Sequence, residues 1–466
     1  MSSATLTAPW TDGKRYQWLL SPSLPILALI SIGLYFATGY GVWLWGGPII
    51  AYGLIPLLDL VIGTDKTNPP ESAVDQLEDD RYYRRVVYIY IPTQFALTAL
   101  GAWTLATQAL AWWDVMGLIA TVGIINGVAI NTAHELGHKT NSLERWLAKL
   151  TLAPAAYGHF FVEHNRGHHK NVATPEDPAS SRMGESFWAF LPRTVIGSFR
   201  SAWAIEKARL QRLNKPVWSW HNENLQSYAM TVALFGTLTA WLGWAVLPFL
   251  ILQAAYGASL LEVVNYLEHY GLKRRKLDSG RYERCQPEHS WNSNHVVTNL
   301  FLYQLQRHSD HHAHPTRRYQ ALRHFEQSPQ LPSGYASMIL LAYCPPLWFK
   351  VMDPKVVAHY QGDLSRANLH APARTKLMAR YGDPAQAGQE HILHDTASAQ
   401  AGAVEASQMQ CPDCGYVYSQ DQGCPTEGYP AGTPWRELPA DFCCPDCAVR
   451  DKADFQPVVQ AQAKAA

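Results

Sequence analysis

The sequence predicts a mainly α-helical membrane protein with three parts. These are six bilayer-crossing helices, a histidine-rich polar cap on one side of them, and a small C-terminal domain built on cysteines. Three observations carry this reading. Six windows, near 18–38, 42–63, 86–108, 112–133, 228–248 and 249–268, are long and apolar enough to cross a bilayer, which takes about 20 such residues. Four histidine-bearing motifs fall at or beyond the same ends of even-numbered windows. Six of the eight cysteines crowd together after residue 410.

Any one window would suit a buried helix of a large soluble protein, but six within the first 270 residues would not. Only 16% of the 466 residues are charged, against about 25% in a typical soluble domain. The mean hydropathy of −0.16 averages an apolar first half with a polar second half. The start, "MSSATLTAPWTDGKRYQW", lacks the basic-then-apolar layout of a cleavable signal. The formal net charge is zero, and no nucleic-acid partner is expected.

Orientation follows from the loops. Lys14 and Arg15 precede the first window, Lys66, Arg81, Arg84 and Arg85 follow the second, and Lys139, Arg145, Lys149, Arg166 and Lys170 follow the fourth. The links after windows one, three and five are short and essentially uncharged. The excess of Lys and Arg on one side predicts an inner-membrane protein with both termini and the histidine motifs in the cytoplasm.

The motifs come next. "TAHELGHKT" supplies His134 and His138, "FVEHNRGHHKN" supplies His164, His168 and His169, "NYLEHYGLK" supplies His269, and "LQRHSDHHAHP" supplies His308, His311 and His312. Residues at i, i+3 and i+4 share one helix face. Nine imidazoles are too many for one ion and fit two ions with four or five ligands each. Imidazole suits iron, copper, zinc and nickel alike, so the ligands alone leave the metal open. Glu135, Glu163, Glu268 and Asp310 each sit beside a candidate ligand, where a carboxylate could orient an imidazole and offset metal charge. "HELGH" also fits a zinc-protease pattern with Glu135 as general base, but that reading leaves seven clustered histidines and the cysteine domain unexplained. The other histidines, His159, His221, His289, His295, His314, His324, His359, His370, His391 and His394, are expected to be solvated or hydrogen-bonded residues.

These four motifs resemble the signatures of integral-membrane alkane 1-monooxygenases over roughly residues 15–375. That family belongs to the histidine-rich membrane di-iron superfamily, which also includes fatty-acid desaturases and xylene monooxygenase. The three-residue gap in "EHNRGHH" and the complete "LQRHSDHH" favour the hydroxylase branch. The resemblance implies six membrane helices, two non-haem irons held by the nine histidines named above, O2 as co-substrate, and oxygen insertion at a terminal methyl of an apolar alkane drawn from the lipid bilayer. A desaturase or related lipid or aromatic-methyl oxidase of the same superfamily is the alternative, with the membrane protease behind it.

At the C-terminus, "CPDCGYVY" and "DFCCPDCA" form two C-x-x-C knuckles, a tetrahedral four-sulfur site for zinc or iron. The text between them, with Gly-Tyr after the first knuckle, "PAGTPW", and "LP" before the second, resembles rubredoxin, a one-iron electron carrier with short β-strands. The resemblance makes Cys411, Cys414, Cys444 and Cys447 the ligands, a cysteine followed by proline selecting Cys444 over Cys443. Cys424 and Cys443 are then surplus, and Cys285 and Cys344 stand alone, as in a reducing cytoplasm. The expected organisation is a membrane domain over 1–380, a flexible Ala/Gln/Gly/Ser-rich linker over 381–408, rubredoxin over 409–456 and a tail over 457–466.

A monooxygenase consumes two electrons per O2, so a tethered one-electron carrier would serve twice per turnover. Nothing resembles a G-x-G-x-x-G nucleotide fold, which implies a separate NAD(P)H-dependent flavoprotein rubredoxin reductase. Residues 409–455 hold eight Asp and Glu against three Lys and Arg, a net of −5. Residues 273–324 hold ten Lys and Arg against four Asp and Glu, a net of +6. Opposite charge predicts that the carrier docks beside His269 and His308, with Arg274 and Arg275 as the docking cations.

Overall fold

The computed structural model describes residues 10–382 and 408–458. The expected linker therefore lies almost wholly outside the described residues, as do His391, His394 and most of the tail. Among the described residues, five helices are long and apolar enough to cross a membrane: α1 (Gln17–Thr38), α2 (Gly41–Ile62), α3 (Arg81–Thr107), α4 (Trp112–Gly137) and, further along the chain, Val246–His269. The longer helices between the last two are α5 (Ser142–Thr151), α6 (Phe187–Arg212) and α7 (Glu223–Leu242), which makes Val246–His269 α8. The window expected at 228–248 corresponds to α7, 20 residues long and not among those five. Its first turns carry Asn224, Gln226 and Ser227, whose side chains turn inward, and this polar content sets it apart.

Helix starts follow local chemistry. Asp80, Asn141, Ser186 and Asn222 each accept a backbone N–H of the helix they precede, satisfying donors that have no intrahelical partner. α2 is irregular: a 3-10 turn over Gly41–Trp45 gives way to a π-wound stretch over Ile49–Leu54.

α4 and α8 are the central pair. A side chain on Gly127 would meet the Gly257 carbonyl at 2.9 Å, and one on Gly257 would meet the Gly123 carbonyl at 2.9 Å. Glycine at these positions lets the two backbones touch, as small residues do at membrane-helix interfaces. Buried amides tie this core together: the Asn126 side-chain N–H donates to Gln253 Oε1 at 2.7 Å, and the Gln253 side-chain N–H donates to the Pro154 carbonyl. The close pair carries His134 and His138 at one end and His269 at the same end, so its packing fixes three of the nine imidazoles.

The C-terminal unit is a three-stranded antiparallel sheet of order β2-β1-β3, with β1 Gln408–Gln410, β2 Val417–Ser419 and β3 Gln456–Pro457. Tyr418 and Trp435 pack edge to face on Phe442, and Phe455 tilts against Trp435, beside the cysteines.

Candidate metal centre

Four segments deliver the histidines to one place. α4 ends at His134 and His138, and α8 ends at His269. Residues 160–171 form a helix whose middle, His164–His168, is π-wound. The wider turn aims His164, His168 and His169 at a common centre, and such bulges recur at functional sites. The short helix His308–Ala313 adds His308, His311 and His312. All nine imidazoles are buried.

They sort into two sets. His134, His138, His164, His169 and His311 form one, and His168, His269, His308 and His312 form the other; within each, the ligand nitrogens lie within 4.8 Å of one another. The sets adjoin, with the His169 and His312 rings 4.5 Å apart. Nε2–Nε2 separations are 2.8 Å for His134–His311, 3.0 Å for His164–His169 and 2.9 Å for His308–His312. These approach the ~3.3 Å edge of a tetrahedron with metal–nitrogen bonds of ~2.0 Å. The Nε2 atoms of His138, His168 and His269 are buried without a hydrogen-bond partner among the described residues, a costly state that a cation relieves. Burial, reinforced by the neighbouring imidazoles, pushes His164, His169, His308, His311 and His312 well below the usual histidine range. They are held neutral, which is the ligating form. The donor set fits two ions.

The supporting carboxylates are only partly those expected. Glu268 reaches a ligand, its Oε2 lying 3.1 Å from His308 Nε2, and Tyr335 donates to its other oxygen at 3.0 Å. The remaining three turn elsewhere. Glu135 pairs with Lys139, Asp310 accepts from His314, Arg317 and the Arg323 backbone, and Glu163 faces Ser201. Asp177 takes the role instead. Its Oδ2 is 2.9 Å from His168 Nδ1 and accepts from Ser180 Oγ at 2.6 Å. Asp177 stands nine residues beyond His168 in an irregular turn, where no helical spacing points to it. His269 Nδ1 donates to the His289 carbonyl at 3.3 Å, so that outlying histidine contributes through its backbone.

A narrow apolar cavity of about 100 Å³ runs among α1, α2, α4 and α8, with Leu24, Ile50, Val128, Leu260 and Phe301 in its walls. Its lining includes Asn131, one helical turn before His134, and Leu305, three residues before His308.

In the C-terminal unit, Cys411, Cys414, Cys444 and Cys447 converge, with Sγ–Sγ separations of 3.7 Å for Cys411–Cys447 and 3.5 Å for Cys414–Cys444. A tetrahedron with metal–sulfur bonds of ~2.3 Å has edges near 3.7 Å. Cys443 is directed away, and Cys424 Sγ lies 3.6 Å from Thr426 Oγ1.

This unit sits against the membrane-bound part through charges that lie both inside and outside the expected 273–324 stretch. Glu427 meets Arg166 at 3.6 Å and Arg212 at 3.1 Å, Asp454 meets Arg284 at 2.8 Å, and Lys170 donates to the Asp441 carbonyl at 3.2 Å. Gly428, at φ +89°, lies on the Arg212 backbone, where any side chain would collide. Arg274 has Asp451 of this unit as an electrostatic neighbour, and both Arg274 and Arg275 hydrogen-bond within the membrane-bound part. Arg274 bonds the Lys170 and Glu283 carbonyls, and Arg275 bonds the Glu283 carboxylate. A thin cleft separates His138 and Asn165 from Pro445, Asp446 and Ala448. The contact thus covers the π-wound turn and the end of α6, beside His138, and extends to the expected 273–324 stretch at Arg284. Charge counting along the chain missed Arg166, Lys170 and Arg212 because they lie outside 273–324.

Two buried histidine clusters at the ends of apolar helices, with a four-thiolate unit beside them, define a membrane metalloprotein with its own electron-carrying domain. The comparisons agree in both parts: a fatty acid desaturase family model matches residues 107–342, and a rubredoxin model matches residues 408–455. The chain is 50% identical over 379 residues to the alkane 1-monooxygenase of Acinetobacter baylyi, covering 80% of this chain and 92% of that protein. It is 48% identical over 381 residues to the alkane 1-monooxygenase of Pseudomonas putida, covering 82% and 95%. It is also 28% identical over 338 residues to the hydroxylase component of a Pseudomonas putida xylene/toluene monooxygenase, covering 70% and 85%. The chain belongs to the alkane 1-monooxygenase family.

Proposed function

We propose that the protein hydroxylates the terminal methyl of alkanes to primary alcohols with O2, drawing electrons through its fused rubredoxin. The observation that carries this is the juxtaposition: two histidine sets, an apolar cavity lined by Asn131 and Leu305 a few residues before His134 and His308, and the four-thiolate unit docked beside one set. In this reading His134, His138, His164, His169 and His311 hold one iron, His168, His269, His308 and His312 hold the second, and Cys411, Cys414, Cys444 and Cys447 hold the third. Iron at the histidines supplies the activation of O2. The chain does the rest. Asp177, on Nδ1 of His168, fixes the orientation of that ring, and Glu268 stands at the donor nitrogen of His308, where its carboxylate offsets metal charge. The cavity admits a slender apolar chain and excludes water, so selection among C–H bonds is by shape and reach.

The balance is one alkane, one O2, two electrons and two protons, giving one alcohol and one water. The electrons come from NAD(P)H through a separate flavoprotein reductase. α7 serves as the sixth span, both termini and the metal centre face the cytoplasm, and the protein resides in the inner membrane. The domains run over 1–380 and 409–456, joined by a linker over 381–408. Incubating membranes with octane and hexadecane, NADH and a rubredoxin reductase tests the proposal. A primary alcohol supports it, an alkene assigns the protein to desaturation, and no NADH-dependent product refutes an oxidative role.

A further inference from the structure

The rubredoxin unit presents its two cysteine knuckles to different surroundings. The second knuckle faces the hydroxylase across two grooves. Cys443, Cys444, Pro445 and Ala448 line a groove with Lys170 and Ala208, and Pro445, Asp446 and Ala448 form the far wall of the cleft that contains His138 and Asn165. The first knuckle lines neither. Among the described residues no hydrogen bond or ion pair joins 411–415 to the hydroxylase; Asp413 is held by Arg450 of its own domain. Pro412 and Gly415 are exposed, Cys414 is half-buried, and Val417 beside them is an exposed branched apolar side chain, 37% accessible.

One iron site thus has one sulfur edge turned to the acceptor across a groove and another, beside exposed Pro412 and Gly415, with no bond to the acceptor. We propose that the docked rubredoxin is a fixed relay, reduced at Cys414 by an external donor protein while its second knuckle stays seated on the hydroxylase. The occupant of the open face is a one-electron donor with a reduced flavin at its surface and an apolar rim to meet Pro412 and Val417. This rests on the reading above, that the protein is an oxygenase fed by its rubredoxin. On each pass one flavin-derived electron takes the four-thiolate site from ferric to ferrous, and that electron leaves through the second knuckle. Two passes supply the two electrons that one O2 requires. The alternative is a shuttle, in which the domain undocks for each electron and exposes the second knuckle to the donor. The docking contacts bear on this choice. Glu427 is gripped from two sides by Arg166 and Arg212, and Asp454 is held separately by Arg284, so release would break two clamps for every electron.

The test is to lock the domain in place. Arg284→Cys and Asp454→Cys, in a Cys285→Ser, Cys344→Ser background, are joined by a short bis-maleimide in the full-length protein. Bleaching of the thiolate–iron colour by reductase and NADPH is then followed in stopped flow, separately from alcohol formation. A relay predicts that the locked protein bleaches within about twofold of the unlinked rate and turns over repeatedly. On the same view Val417→Glu slows bleaching by about tenfold, the scale of charge mismatch at a docking patch, and leaves bleaching by dithionite unchanged. If the locked protein bleaches with dithionite but not with the reductase, the domain must undock and the relay is wrong. If Val417→Glu bleaches at the parent rate, the open face is not where the donor lands. Failure of the function itself looks different: the locked and unlinked proteins would both bleach, and neither would form alcohol.

Discussion

The thiolate site and the histidine centre gather donors in different ways. Four cysteines between Cys411 and Cys447 come from two tight knuckles in one small sheet, and they remain together as long as that sheet folds. The nine histidines between His134 and His312 come from the ends of two membrane helices, a π-wound turn and a short helix. Their meeting depends on the close approach of α4 and α8. A local site is robust and autonomous; a distributed one couples metal binding to the whole membrane fold, as expected when ligands must be pre-oriented by their surroundings.

The largest effect that sharpens this contrast is loss of a ligand on either side. His168→Ala or His312→Ala should abolish alcohol formation and lower histidine-bound iron while the thiolate–iron absorbance stays intact. Cys444→Ser should do the reverse, removing the colour and leaving the membrane irons. Cys443→Ser, one residue away, should keep both. Metal analysis beside visible spectra separates the outcomes; a colourless His312→Ala protein would break the claim that the two sites are independent.

Next in size is the support around the histidines. Asp177→Asn keeps the shape but removes the charge that faces His168 Nδ1, and should weaken iron retention by about 10–100-fold, the usual cost of such a change. Glu163→Gln, whose carboxylate faces Ser201, should cost clearly less. Chelator competition on purified protein measures both, and equal losses would show that proximity in sequence, rather than contact, ranks the acids.

Smaller still is the docking charge. Arg212→Glu should slow delivery of electrons from rubredoxin to the hydroxylase, most visibly when the two halves are cut apart near residue 395 and mixed. Rising salt should slow the split pair steeply and the fused chain only mildly, because charge is screened over about 10 Å at 0.1 M and a tether holds the partners at high effective concentration. Arg275→Glu, whose partner is Glu283, should change this rate less than Arg212→Glu. A split pair indifferent to salt would remove electrostatics from the docking. His370→Ala marks the floor of the series and should leave activity within about twofold, as ordinary surface changes do.

Much of this was legible in the sequence because the signals were periodic. Helical spacing in "HELGH" and "HSDHH" put imidazoles on shared faces, and hydropathy found α1, α2, α3, α4 and α8 within a few residues of their observed ends. What escaped was non-periodic or tertiary. The π-winding that turns His164, His168 and His169 together has no helical-period signature. Asp177 reaches His168 only through a loop, and Arg166, Lys170 and Arg212 face the rubredoxin only once α6 and the π-wound turn lie side by side. The division of nine histidines into five and four likewise exists only in three dimensions.

Iron counting tests the central claim most directly. The full chain, purified and analysed for metals, should hold about three irons and little zinc, two on the histidines and one on the thiolates. The chain truncated after residue 400 should hold about two, with the red thiolate–iron absorbance gone. Stoichiometric zinc in the truncated protein, or a single iron there, would contradict a two-iron centre built from His134, His138, His164, His168, His169, His269, His308, His311 and His312.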